Sequence, residues 1–151
     1  LNFGIRKTLM GFTFKNDDIE KISAILDCRH EEFPGAWTWS LKNHETKQAV
    51  IFTIYSNVKT GRDKESNLVA VQTQHGYFEL HSCTAYLLFE PDEVIFINSE
   101  PDKVSCLIIG KQATCSLYSN IDREILSTDF SSLDSAVLMS AMQLSLVEEQ
   151  L

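Results

Sequence analysis

The chain has 151 residues, of which 44% are hydrophobic and 23% are charged, and its formal net charge at pH 7 is -8. This length and composition indicate one globular domain with a sizeable core and argue against a disordered chain. The negative charge argues against nonspecific binding to nucleic acid or to an anionic membrane, because both need a positive field. No stretch approaches the roughly 18 apolar residues of a membrane-spanning helix.

Cysteine usage and the first residues bear on the compartment. The four cysteines stand at positions 28, 83, 106 and 115, without the close spacing of a disulfide framework. The apolar run near the first residue is too short and too polar for a secretory signal. We therefore predict a cytoplasmic protein.

The N-terminal part of the chain predicts two elements. Residues 1–14 alternate loosely between apolar and polar side chains, which indicates an arm or an edge strand. Asn16 and Asp17 are favourable N-cap residues, and apolar residues follow them at helical spacing. We predict a short amphipathic helix over residues 17–28.

Residues 36–118 carry the pattern of an antiparallel sheet. The first strand alternates, with Trp37 and Trp39 on one side, and the strand over residues 49–55 is apolar on both faces. The alternation slips near Ser82 and Cys83, so a β-bulge is predicted there.

Three tight turns join the strands over residues 84–118 into a meander. Two turns contain a Glu-Pro-Asp sequence, and Gly110-Lys111 fits a two-residue hairpin loop. With two-residue loops throughout, Cys106 lies directly opposite Cys115, and reduced thiols are favoured over a disulfide in a cytoplasmic protein. Two-residue loops also define one wholly apolar face, and the opposite face is half apolar, so the sheet must be covered on both sides. The residues of the apolar face are Tyr86, Leu88, Ile95, Ile97, Val104, Cys106, Ile108, Ala113, Cys115 and Leu117.

Residues 131–149 predict a long C-terminal helix with a wide apolar face that includes Leu138, Met142 and Leu146. The predicted fold is therefore α+β in a single domain over residues 1–151. An antiparallel meander sheet of about seven strands carries a short N-terminal helix and this long C-terminal helix.

No phosphate-binding loop or nucleophile-elbow motif occurs in the sequence. Cys28, His30, His81 and Cys83 form two Cys/His pairs that together supply four ligands of the type that zinc accepts. Two unrelated pairs are the favoured interpretation. Cys83 beside His81 is also a candidate nucleophile, against the favoured interpretation of a buried structural thiol.

The sequence leaves three functions open. The first is a non-enzymatic interaction protein (a chaperone, adaptor or assembly factor), expected to be a homodimer without a cofactor. It would act through an apolar helix/sheet surface that includes Leu138, Met142, Leu146, Trp37 and Trp39, although core packing is the favoured role for the tryptophans. The second is a protein that binds a small apolar ligand between the sheet and the C-terminal helix. The third is a metal- or thiol-dependent enzyme that uses Cys28, His30, His81 and Cys83.

Overall fold

The computed structural model describes residues 3–6, 12–61, 64–99 and 103–122. This part of the chain contains one helix, α1 (Asn16–Leu26), and two five-stranded sheets. The strands are β1 (Phe3–Arg6), β2 (Glu31–Phe33), β3 (Ala36–Lys42), β4 (Ala49–Gly61), β5 (Lys64–Thr73), β6 (Tyr77–Cys83), β7 (Ala85–Phe89), β8 (Glu93–Ser99), β9 (Lys103–Gly110) and β10 (Thr114–Asp122).

All paired strands are antiparallel, and the chain order is nearly the spatial order. Sheet A has the order β1-β7-β8-β9-β10, and sheet B has the order β2-β3-β4-β5-β6. β1 lies at the edge of sheet A against β7, within the segment that was predicted to be an arm or an edge strand. In the part of the chain that the structure describes, no helix has the length and apolar character needed to cross a membrane.

The prediction of a single α+β meander with a long C-terminal helix is wrong. The described residues form two antiparallel sheets with one helix of 11 residues, and they include no long C-terminal helix. The segment 131–149 lies outside the described residues. The prediction failed because it let β6 continue into β7 within one sheet. Instead, Ser82 adopts a positive φ of 52° at a register shift, and the next strand joins the other sheet.

The bulge predicted near Ser82 and Cys83 is confirmed. The register between β5 and β6 shifts between Asn67 and Val69, opposite Ser82. Asn67 is buried, and its Nδ2 donates to the carbonyl oxygens of Cys83 at 3.2 Å and Phe12 at 2.7 Å. The side chain of Asn67 therefore ties the segment before α1 to the end of β6.

The main core lies between the two sheets and is filled by stacked rings. Trp39 and Phe52 of sheet B stack with ring centroids 4.6 Å apart and planes at 6°. Phe52 in turn meets Phe96 of sheet A at 5.9 Å. α1 adds Ile19 and Ile22 to the same cluster. These contacts join both sheets and the helix into one hydrophobic core.

α1 lies close to its predicted range of 17–28. The backbone N–H of Lys15 donates to Asp18 Oδ2 at 2.8 Å, so a carboxylate satisfies a backbone donor at the helix start. The helix ends at Leu26 because Asp27 adopts the left-handed conformation, with φ at 47°. Tyr86 of sheet A donates its hydroxyl to Asp18 Oδ1 at 2.7 Å and ties the helix to that sheet.

Both faces of sheet A are buried, as the apolar pattern predicted. A second cluster lies on the face that points away from the main core, and its seven residues are at most 8% exposed. They are Ala85, Leu87, Ile95, Ile97, Val104, Cys106 and Ile108.

The predicted register is right for one hairpin of sheet A and wrong for the other two. Ile97 pairs with Cys106 as expected. Tyr86 pairs with Phe96 instead of Ile97 because three residues, 90–92, connect β7 to β8. A one-residue slip moves every side chain of a strand to the other face.

The hairpin between β9 and β10 also has three connecting residues, 111–113, instead of two. Ala113 takes the left-handed position of such a loop, with φ at 61°. Cys106 therefore pairs with Tyr118, and Cys115 pairs with Ile109, so the two cysteines are not opposite each other. Both are free, as are Cys28 and Cys83.

Candidate functional site

The two tryptophans proposed as interface anchors point into the molecule. Trp39 is fully buried, and Trp37 packs against the main core. Trp39 Nε1 donates to Ser23 Oγ at 2.9 Å. The other proposed interaction residues, Leu138, Met142 and Leu146, lie outside the described residues.

The two Cys/His pairs occupy separate environments. His30 Nδ1 lies 2.9 Å from Ser23 Oγ, and Cys28 Sγ donates to the Ser40 carbonyl at 3.3 Å. His81 Nε2 contacts a carboxylate oxygen of Glu79 at 2.7 Å. Among the described residues, no three His, Cys, Asp or Glu side chains are grouped so that they could hold a metal ion. The four candidate zinc ligands are therefore not brought together, which agrees with the favoured interpretation of two unrelated pairs.

Burial makes the cysteines poor nucleophiles. It raises the pKa of the Cys83 thiol to about 12, and the Sγ of Cys83 donates to the Ala85 carbonyl at 3.3 Å. Burial likewise raises the pKa of Cys106 to about 12 and that of Cys115 to about 11. It also raises the pKa of the half-buried Cys28. Because the thiolate is the nucleophile, these thiols are largely unreactive at neutral pH.

Clefts open at the start of β10 and beside the end of α1. One of about 420 Å³ lies between the sheets at the start of β10 and is lined by residues that include Phe78 and Cys115. The other, of about 380 Å³, lies beside the end of α1, where Lys111 Nζ is 3.8 Å from Asp27 Oδ2. Among the aromatic residues, Phe78 lines the first cleft, whereas Trp39 and Phe96 are completely buried.

The most unusual surface is the outer face of sheet B, which points away from the main core. Strand alternation places large apolar side chains there that are well exposed to solvent. They are Phe33 at 50%, Ile51 at 46%, Tyr55 at 39% and Tyr77 at 56% exposed. Sequence reasoning missed all four, although the apolar pattern on both faces of the strand over residues 49–55 was a signal for two of them.

The strand register arranges this face into three rows that run across the strands. The central row is Glu31, Thr38, Thr53, Ala70 and Glu79. On one side of it lies the row Phe33, Ala36, Tyr55 and Leu68. On the other side lies the row Ser40, Ile51, Gln72 and Tyr77.

The central row forms the floor of a shallow groove. Its three middle residues have short side chains, whereas each neighbouring row carries large ones. Thr38 and Thr53 hydrogen-bond to each other through their hydroxyls at 2.9 Å, so these polar groups of the floor already have a partner. The Cα atoms of neighbouring rows are about 7 Å apart, so those of the two wall rows are separated by about 13 Å.

Charged groups stand at the two ends of the groove. Glu31 occupies one edge strand and Glu79 the other, about 19 Å apart across four strand spacings. Glu79 accepts the Tyr77 hydroxyl at 2.7 Å, and this hydrogen bond raises the pKa of Tyr77. His81 follows Glu79 on the same face, and Lys42 lies beyond Ser40.

No protein-family model, curated protein or solved structure matches this chain.

Proposed function

We propose that this chain is a non-enzymatic interaction protein that binds a protein partner through the outer face of sheet B. The observation that supports the proposal is the exposure of four large apolar side chains on one open face, between 39% and 56% each. Single exposed apolar residues are common, whereas four large ones on the same face of one sheet favour an interaction surface.

The composition of this face fits a protein interface. The face carries two exposed tyrosines, Tyr55 on the central strand β4 and Tyr77 on the edge strand β6, and tyrosine is enriched at binding hot spots. Charged side chains lie at its edges, as in the polar rim of an interface. The face spans about 19 Å across the strands and about 20 Å along them, roughly 400 Å² in plane, which corresponds to a small, reversible interface.

The thiol chemistry favours binding over catalysis. The candidate nucleophile Cys83 has a pKa raised to about 12, so it is protonated at neutral pH. The Glu79–His81 pair is exposed on the face and lies in neither of the two clefts. Cytoplasmic location and a homodimeric state stay predictions.

Site-specific photo-cross-linking in the native cells tests the proposal. A photoreactive phenylalanine analogue replaces Tyr55 on the face, and a matched control replaces Ser116, an exposed residue of sheet A. We expect a discrete protein adduct from position 55 that disappears with Ile51→Lys, and none from position 116. An absence of adduct at position 55, or the same adducts at both positions, would contradict the proposal. An adduct of twice the chain mass would identify the partner as a second copy.

A further inference from the structure

We propose that the partner presents an amphipathic helix that lies across the strands in the groove of sheet B, with Lys or Arg at both of its ends. This inference rests on the proposed function and names the chemistry of the partner. Three features of the face support it: the groove, the satisfied floor and the placement of the charges.

The groove sets the direction and size of the occupant. Its walls are Phe33 and Tyr55 on one side and Ile51 and Tyr77 on the other, and they are separated by about 13 Å. A helix with its side chains is about 10–12 Å across, so it would rest on the side chains of both walls and direct one row of its own side chains toward the floor. Ala70, on the floor, has a short side chain and is already buried by its neighbours, so the partner would contact mainly the walls.

Backbone hydrogen bonding favours a helix over an extended segment. An extended chain that lies on the face of a sheet pairs with no strand edge, and its buried backbone N–H and C=O groups lose their partners. A helix satisfies its own backbone groups and can present one apolar side to the groove. Because Thr38 and Thr53 hydrogen-bond to each other, an apolar side of a helix can cover these hydroxyls without leaving both of them unpaired.

The charges determine which helix fits. Glu31 and Glu79 end the same cross-strand row about 19 Å apart, and a helix of about 13 residues spans that distance. Opposite charges at these ends steer the encounter and fix its direction. When two copies of this face pack with their strands aligned, carboxylates meet carboxylates, which disfavours a second copy as the occupant. The net charge of -8 further favours a basic partner.

A charge-swap experiment with a designed peptide tests the inference. The basic probe is a fluorescent helix-forming peptide of about 15 residues, with Lys about 11 residues apart on one side of the helix and Leu and Ala between them. The acidic probe has Glu in place of both Lys. Fluorescence anisotropy measures the binding of each probe to the unaltered protein and to the Glu31→Lys, Glu79→Lys double variant.

We expect the basic probe to bind the unaltered protein at least tenfold more tightly than the acidic probe, and the double variant to reverse this preference. When Ile51→Thr and Tyr77→Thr are added to either protein, that protein should bind its preferred probe at least tenfold more weakly. A basic probe with the same composition and a scrambled apolar face controls for nonspecific attraction to an acidic protein. A probe with a central proline should bind at least tenfold more weakly, because proline breaks the helix.

The outcomes separate this inference from the proposed function. A preference that the double variant leaves unchanged, or equal binding of the scrambled and the proline-containing probes, would overturn the basic-helix inference. The photo-cross-link at position 55 would still stand in that case and would support a partner of different chemistry. Loss of that cross-link would instead remove the proposed function, whatever the peptide does.

Discussion

The hydrogen bond from Tyr86 to Asp18 joins sheet A to helix α1 inside the molecule. The donor and the acceptor are 2.7 Å apart, and both residues are at most 2% exposed. Tyr86→Phe should lower the free energy of unfolding by about 1.5–3 kcal/mol, because it removes a hydrogen bond to a buried carboxyl group. Urea denaturation measures this change, and the exposed Tyr55→Phe is the matched control with an expected change below about 0.5 kcal/mol. Equal effects of the two variants would refute the structural role of the bond.

The buried thiol of Cys83 makes stability depend on alkaline pH. Its folded pKa of about 12 lies above the unfolded value of 9.0, so the folded state keeps a proton that the unfolded state loses. The contribution of this thiol to the unfolding free energy is fully present below pH 9 and is lost as pH rises toward 12. About 1.4 kcal/mol of it is lost by pH 10. Cys83→Ala removes this contribution. The difference in unfolding free energy between pH 7.5 and pH 10 should therefore be smaller in the variant than in the unaltered protein by about that amount.

Cys28→Ala is the control for this measurement, because Cys28 is only half-buried whereas Cys83 is buried. Other groups titrate in the same range, but they do so in all three proteins. An identical pH dependence with and without Cys83 would show that this thiol is not buried as described.

At the scale of single elements, helix α1 should contribute strongly to stability through its inner side. Ile22 is completely buried in the main core, whereas its neighbour Lys21 is exposed. We expect Ile22→Ala to cost about 2–5 kcal/mol, because it leaves a cavity, and Lys21→Ala to change stability by less than about 0.5 kcal/mol. Chemical denaturation of both variants measures the difference. Similar small effects would place the helix outside the core.

The hairpin between β9 and β10 contains a close approach between Gly110 and the side chain of Thr114. A Cβ atom at Gly110 would overlap Oγ1 of Thr114, its partner in the strand register. Gly110→Ala should therefore destabilise the protein by about 1–3 kcal/mol, and Thr114→Ala in the same chain should restore most of the loss. A double-mutant cycle measures the coupling. Additive effects would contradict the close approach at this turn.

The elements that depend only on neighbouring residues in the chain were predictable from the sequence. The helix came from apolar spacing and an acidic first turn, and the bulge near Ser82 came from a break in alternation. The registers of the two hairpins with loops at residues 90–92 and 111–113 were not predictable, because two-residue and three-residue loops share the same turn residues. One extra loop residue exchanges the faces of a whole strand.

At the scale of the whole molecule, the division into two sheets and the outer face of sheet B were beyond sequence reasoning. A strand with apolar residues on both faces is compatible with burial on both sides or with an exposed interaction surface. The exposure of Ile51 and Tyr55 distinguishes these cases, and it depends on which elements cover the sheet. The predicted site residues Trp37 and Trp39 occupy alternate positions of β3 whose side chains point to the inner face, so they pack toward the core.

The most direct test of the central claim measures folding and binding on the same variant. In the Ile51→Thr, Tyr77→Thr double variant, the unfolding free energy should change by less than about 1 kcal/mol, because both side chains are about half exposed. Its photo-cross-link from position 55 in cells should be lost. A variant that keeps the full cross-linking yield would contradict the claim that the outer face of sheet B binds the partner. A variant that loses several kcal/mol of stability would show instead that these side chains serve the fold.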